Sequence, residues 1–141
     1  MLNIAMESED VRMLMEAGYL LLAMRRFKES EEVFEGIQVL VSNSEVPIVA
    51  QGNVHCVQGH FDQAIKIYQQ ALKLVPESAF AKAYLAEALL FKGDVERSKS
   101  LLEESMAADK NGKTGDFARA LLDLIKKGFR PAEEAKPSSK S

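Results

Sequence analysis

The sequence predicts an all-α protein in which three helix pairs stack into a right-handed superhelical solenoid and a C-terminal helix caps the stack. The first observation behind this prediction is that residues of similar size recur every 34 positions. The second is that apolar residues recur at steps of three and four, which is typical of amphipathic helices. The third is composition: of 141 residues, 47% are hydrophobic and only 8 are glycine and 4 proline. One continuous apolar core is therefore expected, with few loops.

The 34-residue step is clearest for two classes of side chain. Small residues stand at Gly18, Gly52 and Ala86, where they would let two helices of a pair cross closely. Large apolar residues follow at Phe34, Tyr68 and Leu102, where they would fill the space between one pair and the next. A second small residue in each copy falls at Ser30, Ala64 and Ser98. The predicted repeats are residues 11–44, 45–78 and 79–112.

The remaining segments flank these repeats. Residues 1–10 form an N-terminal segment, and residues 116–127 are predicted to form a helix that has no partner within a repeat. Its apolar residues lie on one face, so it is expected to cover the bare end of the stack. The domain then spans 11–127, and Gly128 marks the stop of its last helix. Residues 128–141 are rich in Pro, Ser, Lys and Glu and are predicted to be disordered.

Composition also bounds the function. A net charge of −3 and a pI near 5.5 argue against a nucleic-acid partner. The single cysteine, Cys56, fits a reducing compartment, and neither a basic, apolar leader nor a run of 18 apolar residues occurs. A cytoplasmic protein without a membrane span is expected. No nucleophile–base pair, phosphate loop or metal-ligand spacing appears, so the sequence predicts neither catalysis nor a cofactor.

One group of residues invites a metal interpretation. His55, Cys56 and His60 are close in sequence, but adjacent His55 and Cys56 would point about 100° apart on a helix. No further thiols or carboxylates join them, so a packed histidine is expected and no metal site is predicted.

The middle repeat carries a family resemblance. Its pattern resembles the consensus of the tetratricopeptide repeat family at Gly52, Gly59, Phe61, Ala64, Tyr68, Ala71 and Pro76. Two positions depart from the consensus: His55 stands where the family prefers tyrosine, and Arg25 replaces the glycine between the helices of the first copy. The resemblance implies helix pairs with a concave groove that binds another polypeptide.

In this family, positions 2, 5, 9, 12 and 13 of each repeat line that groove. The first repeat contributes Arg12, Met15, Tyr19, Leu22 and Ala23. The second contributes Val46, Val49, Asn53, Cys56 and Val57. The third contributes Phe80, Ala83, Glu87, Leu90 and Phe91. The resemblance therefore implies a mostly apolar groove suited to an amphipathic helix or an extended apolar segment.

One known function of the family does not fit. Repeats that hold the C-terminal carboxylate of heat-shock chaperones need lysine, asparagine and arginine in the groove. This chain has Met15 and Tyr19 in the first copy and Phe80 and Tyr84 in the third, and only Asn53 matches. A carboxylate clamp is therefore not expected.

The size of the chain, its three repeats and its apolar groove are similar to a narrower group, the small bacterial chaperones of type III secretion. This resemblance implies a complex with an export substrate, a needle or translocator subunit, together with a second chaperone. Two alternatives remain. The apolar residues of the N-terminal segment could fill the groove, or the protein could be a scaffold or adaptor that forms a homo-oligomer, such as a homodimer, through that segment and the first repeat.

Overall fold

The structure is a computed structural model that describes residues 8–131, and all its regular elements in this range are helices. In chain order they are α1 (Ser8–Ala23), α2 (Phe27–Leu40), α3 (Val46–Val57), α4 (Phe61–Leu74), α5 (Ala79–Lys92), α6 (Val95–Ala108) and α7 (Lys113–Lys126). The predicted all-α fold is confirmed. Within residues 8–131, no helix is long and apolar enough to cross a bilayer.

The helices form two layers. Consecutive helices pack as the pairs α1–α2, α3–α4 and α5–α6, and each second helix also packs against the helix that follows it. The first helices also contact one another directly, α1 with α3, α3 with α5 and α5 with α7. Helix α7 thus occupies the place of a first helix, so α1, α3, α5 and α7 form the inner layer and α2, α4 and α6 the outer layer.

The turns inside the pairs repeat the same backbone conformation. Arg25, Gly59 and Gly93 stand 34 residues apart and have φ angles of 62°, 83° and 97°. Glycine adopts this left-handed region without a steric penalty, whereas a residue with a Cβ does not. Arg25 nevertheless adopts it, and its guanidinium lies over the ring of Phe27 at 4.9 Å.

Close helix crossings explain the small residues. A Cβ added to Gly52 would lie 2.8 Å from Cδ1 of Tyr68, and one added to Gly18 would lie 2.7 Å from Cζ of Phe34. In the third pair a Cβ is present at Ala86, because the side chain at the facing position, Leu102, is not aromatic.

The second small residue of a pair also makes a hydrogen bond where it is serine. Ser30 Oγ donates to the carbonyl of Gly18, and Ser98 Oγ donates to that of Ala86, both at 2.8 Å. Each bond ties a second helix to the first helix of its own pair.

The core is divided into three clusters that follow the pairs. Phe34 and Ile37 pack between α1, α2 and α3, and Tyr68 and Leu85 pack between α3, α4 and α5. Leu102 and its neighbours pack between α5, α6 and α7. Each cluster joins one pair to the next first helix, so the stack is continuous.

The C-terminal part differs from the sequence-based expectation in two respects. Helix α7 begins at Lys113, three residues before the predicted start at residue 116. The chain also stays packed past Gly128, since Phe129 lies against the last core cluster and Pro131 is buried. The expectation of disorder from residue 128 is therefore wrong for 129–131, because the ring of Phe129 still packs on the core. Residues 1–7 and 132–141 lie outside the described residues.

Candidate functional site

A concave cleft of about 560 Å³ lies between the inner-layer helices. It is lined by residues from four of them: Tyr19 from α1, Asn53, Cys56 and Val57 from α3, Tyr84, Glu87 and Phe91 from α5, and Phe117 from α7. Gly59 and Phe61, from the turn and the start of α4, close one side. Together these residues form the concave cleft.

A chain of hydrogen bonds fixes the polar floor of the concave cleft. Tyr68 Oη donates to Asn53 Oδ1 at 2.5 Å, and Asn53 Nδ2 donates to Tyr19 Oη at 2.9 Å. Because both polar atoms of the Asn53 amide are used, its orientation is set by its neighbours. Burial raises the pKa of Tyr19 to about 12 and raises the pKa of Tyr68 as well. Both phenols therefore remain neutral at physiological pH, with Tyr68 as a donor and Tyr19 as an acceptor.

Aromatic pairs form the walls of the concave cleft. Phe61 stacks on Phe91 with ring centroids 5.4 Å apart, and Tyr84 stacks on Phe117 with centroids 4.8 Å apart. Phe80 packs edge-on against Tyr84 from outside the lining set. These contacts join α4 to α5 and α5 to α7, so each wall is formed by rings from two different helices.

Glu87 is the acidic member of the concave cleft. It is half-buried, and burial raises the pKa of its carboxyl above the usual value. Tyr84 lies three residues before it and Phe91 four residues after it, which places all three on one face of α5. The electrostatic influence of Glu87 also contributes to raised pKa values of Cys56 and Tyr84, after the larger effect of burial.

The nearby thiol and imidazole groups show no catalytic arrangement. Burial raises the pKa of the Cys56 thiol to about 12, so the thiol is not an activated nucleophile. His55 lies against the outer layer, with Nε2 3.1 Å from Glu31 Oε2. Among residues 8–131, no three His, Cys, Asp or Glu side chains are grouped as metal ligands.

Some of the groove residues proposed from the sequence do line the concave cleft: Tyr19, Asn53, Cys56, Val57, Glu87 and Phe91. They come from positions 9, 12 and 13 of the repeats. The structure therefore brings together one polar residue per repeat at position 9 and apolar residues of the second and third repeats.

Other proposed residues are in the core instead: Met15, Leu22, Val49, Ala83 and Leu90 are buried. The expectation that they are available at the groove surface is wrong, because positions 5 and 12 lie seven residues apart on one helical face. That face packs against neighbouring helices. Cys56 is the exception at position 12.

Four further proposed residues lie outside the lining set. Arg12 and Ala23 are exposed on α1, and the Arg12 guanidinium pairs with Glu9 at 2.6 Å. Val46 and Phe80 are half-buried against core clusters at the starts of α3 and α5. None of the four contributes to the concave cleft.

Sequence reasoning did not assign Phe117, Phe61 or Gly59 to the groove, and it named Tyr84 there only when a carboxylate clamp was excluded. The 34-residue step could have indicated Phe117, because α7 (Lys113–Lys126) begins and ends 34 residues after α5 (Ala79–Lys92). Treating the last helix as the first helix of a fourth copy would have placed it in the inner layer. Tyr84 lies one helical turn before Glu87, so it could have been predicted to share the groove face of α5 with Glu87.

Comparison with known proteins agrees with this architecture. Residues 58–124 match the sequence profile of the tetratricopeptide repeat family. No curated protein sequence matches the chain.

Solved structures provide the longer matches. The type III secretion translocator chaperone SycD of Yersinia enterocolitica is 19% identical with a TM-score of 0.70, covering 84% of this chain and 92% of SycD. PcrH of Pseudomonas aeruginosa is 15% identical with a TM-score of 0.69, covering 86% of this chain and 96% of PcrH.

SycD in complex with a peptide of the translocator YopD is 19% identical with a TM-score of 0.66, covering 86% of this chain and 95% of that chain. The chain therefore resembles the tetratricopeptide repeat family and shares the fold of these chaperones over nearly their whole length.

Proposed function

We propose that this protein is a non-catalytic binding module whose concave cleft holds a segment of another polypeptide. The observation that carries the proposal is the composition of the cleft: aromatic walls, a fixed polar floor and one carboxylate, at the centre of a helical stack. A concave, mostly apolar surface with a few fixed polar groups is typical of a ligand site. The neutral Cys56 thiol and the hydrogen-bonded tyrosines offer no activated nucleophile.

The partner that we propose is an export substrate of type III secretion, a translocator or needle subunit held in the cytoplasm before export, together with a second chaperone. Support comes from the shared fold with SycD and PcrH, since one of the SycD structures contains a translocator peptide. An aggregation-prone export substrate exposes apolar surface, and an apolar cleft would cover part of that surface. The alternative occupant of the cleft is the N-terminal segment of this chain.

Site-specific photo-cross-linking in the source cell tests this proposal. Val57 is 50% exposed in the concave cleft, and Leu74 is 43% exposed at the end of the outer-layer helix α4, so p-benzoylphenylalanine fits at either without disturbing the core. The probe at Val57 should give a heterologous product that the probe at Leu74 does not give. Mass spectrometry should identify a secretion subunit.

Other outcomes separate the parts of the proposal. A cleft-specific product that is not an export substrate would remove the secretion role and leave the binding module. Equal products at both positions, no product, or a cross-link from Val57 to residues 1–7 of the same chain would contradict a partner-binding cleft.

A homo-oligomeric scaffold is a second candidate, favoured by an apolar stripe on α1 and the first residue of the turn after it, called the α1 stripe. Met13, Leu20 and Met24 are 59%, 61% and 53% exposed at steps of seven and four residues, with the exposed Ala17 between them. Because these spacings bring the side chains to one helical face, the stripe could pack against a second copy.

Sedimentation of the purified full chain tests the scaffold. The wild type should be a dimer, Leu20→Arg should be monomeric, and Leu124→Arg, an exposed change at the opposite end of the stack, should remain dimeric. A monomeric wild type at high concentration would exclude this candidate.

A further inference from the structure

The concave cleft contains a negative charge without a matching positive one. Of the side chains that line it, Glu87 is the one carboxylic acid, whereas burial raises the pKa values of Tyr19 and Cys56 to about 12 and raises that of Tyr84 as well. Within residues 8–131, Glu87 makes no ion pair. The two lysines nearest to Glu87 in sequence are both paired elsewhere, Lys82 with Glu104 at 3.1 Å and Lys92 with Asp62 at 2.9 Å.

A half-buried carboxylate without a partner destabilises the unliganded protein, because burial opposes its charge. A cation brought by a ligand removes this penalty and gains a charge-assisted hydrogen bond. The aromatic surroundings favour the same kind of ligand, since the faces of phenyl and phenol rings attract ammonium and guanidinium groups. Tyr84 and Phe91 lie one turn to either side of Glu87 on α5.

We infer that the concave cleft selects a partner segment that presents a lysine or arginine side chain to Glu87, with large apolar residues on either side of that basic residue. The inference rests on the proposed binding function and adds the chemistry that the partner must carry. The basic side chain lies between the Phe61–Phe91 stack and the Tyr84–Phe117 stack, and the flanking apolar residues pack on those rings.

The segments of this chain that lie outside the described residues do not carry that combination. Residues 1–7 are mostly apolar but include no lysine or arginine. Residues 132–141 include Lys136 and Lys140, but their apolar side chains are no larger than alanine and proline. A separate polypeptide with both features is therefore the better complement.

Selection from a random dodecapeptide library displayed on phage tests the inference on the full chain. Peptides selected on the wild type should share a lysine or arginine flanked by large apolar residues. Peptides selected on Glu87→Lys should carry aspartate or glutamate at that place. Glu35→Lys, at an exposed position of the outer-layer helix α2, should select the same basic peptides as the wild type.

A second measurement covers the case in which Glu87→Lys does not fold, as shown by circular dichroism. Glu87→Gln should weaken binding of a wild-type-selected peptide by roughly 10-fold to 100-fold, the effect of losing a charge-assisted hydrogen bond. Replacing the basic residue of the peptide by norleucine should weaken its binding to the wild type and leave its binding to Glu87→Gln nearly unchanged.

The outcomes distinguish the inference from the proposed function. Apolar peptides without a shared basic residue, or the same basic peptides on Glu87→Lys, would overturn the inference and leave the binding cleft in place. A wild type that selects no peptide would overturn both.

Discussion

Replacing Val49 with aspartate should unfold the protein, whereas the same replacement at Val57 should leave it folded. Both valines are on α3, eight residues apart, but Val49 has no exposed surface and Val57 is 50% exposed. An unpaired carboxylate in the core costs several kcal/mol, a large part of the roughly 5–15 kcal/mol that stabilises a domain. At Val57 the charge reaches water, and a change of about 0.5 kcal/mol is expected.

Circular dichroism and thermal melting measure this difference directly. Val49→Asp should lose its helical signal and its cooperative transition, and Val57→Asp should keep both. If Val49→Asp melted as the wild type does, Val49 would be a surface residue and the two-layer packing described above would be wrong. Leu90→Asp is expected to behave as Val49→Asp does, because Leu90 is also fully buried on α5.

Replacing Gly52 with alanine should destabilise the protein, and replacing Gly36 with alanine should stabilise it. A methyl group at Gly52 would overlap the ring of Tyr68, which is fully buried and hydrogen-bonded to Asn53 and so cannot move freely. The expected loss is about 1–3 kcal/mol. Gly36 lies on the exposed face of α2, and a Cβ added there would have no contact within 4 Å, so alanine should add up to about 1 kcal/mol of stability.

Urea unfolding of both variants checks this prediction. The two substitutions are chemically identical and both lie inside helices, so the effect of helix propensity is the same in both. The difference between their free energies of unfolding therefore measures the effect of the close helix crossing at Gly52. Equal effects of the two alanines would show that α3 and α4 do not approach each other closely at Gly52.

The sequence was sufficient to predict the helices because two signals coincide. One is the apolar periodicity within each helix, and the other is the 34-residue step between repeats. The step from Gly18 to Gly52 to Ala86 marks the crossings, and the structure places aromatic rings or Leu102 against them. The left-handed turn at Arg25 also keeps the 34-residue step, although the residue itself gave no such signal. A repeat pattern therefore specifies backbone geometry even where one residue departs from it.

The candidate site was only partly predictable, because exposure depends on what packs beside a helix. A face at positions 5 and 12 appears apolar whether it lines a groove or a core, and in this chain it mainly enters the core at Val49 and Leu90. Phe117 was expected to cover the end of the stack, but α7 continues the inner layer and brings this ring to Tyr84. Such contacts between distant residues are decided by the stacking of helices and not by the spacing within one.

The most direct test of a partner-binding concave cleft is an amide NMR titration of the isotopically labelled full chain with the segment that cross-links at Val57. Binding in the cleft predicts that the largest chemical-shift changes fall on Asn53, Val57, Tyr84, Glu87 and Phe91, with small changes along the outer-layer helices α2, α4 and α6. Changes concentrated on the outer layer, or on the α1 stripe of Met13, Leu20 and Met24, would contradict the cleft as the binding site.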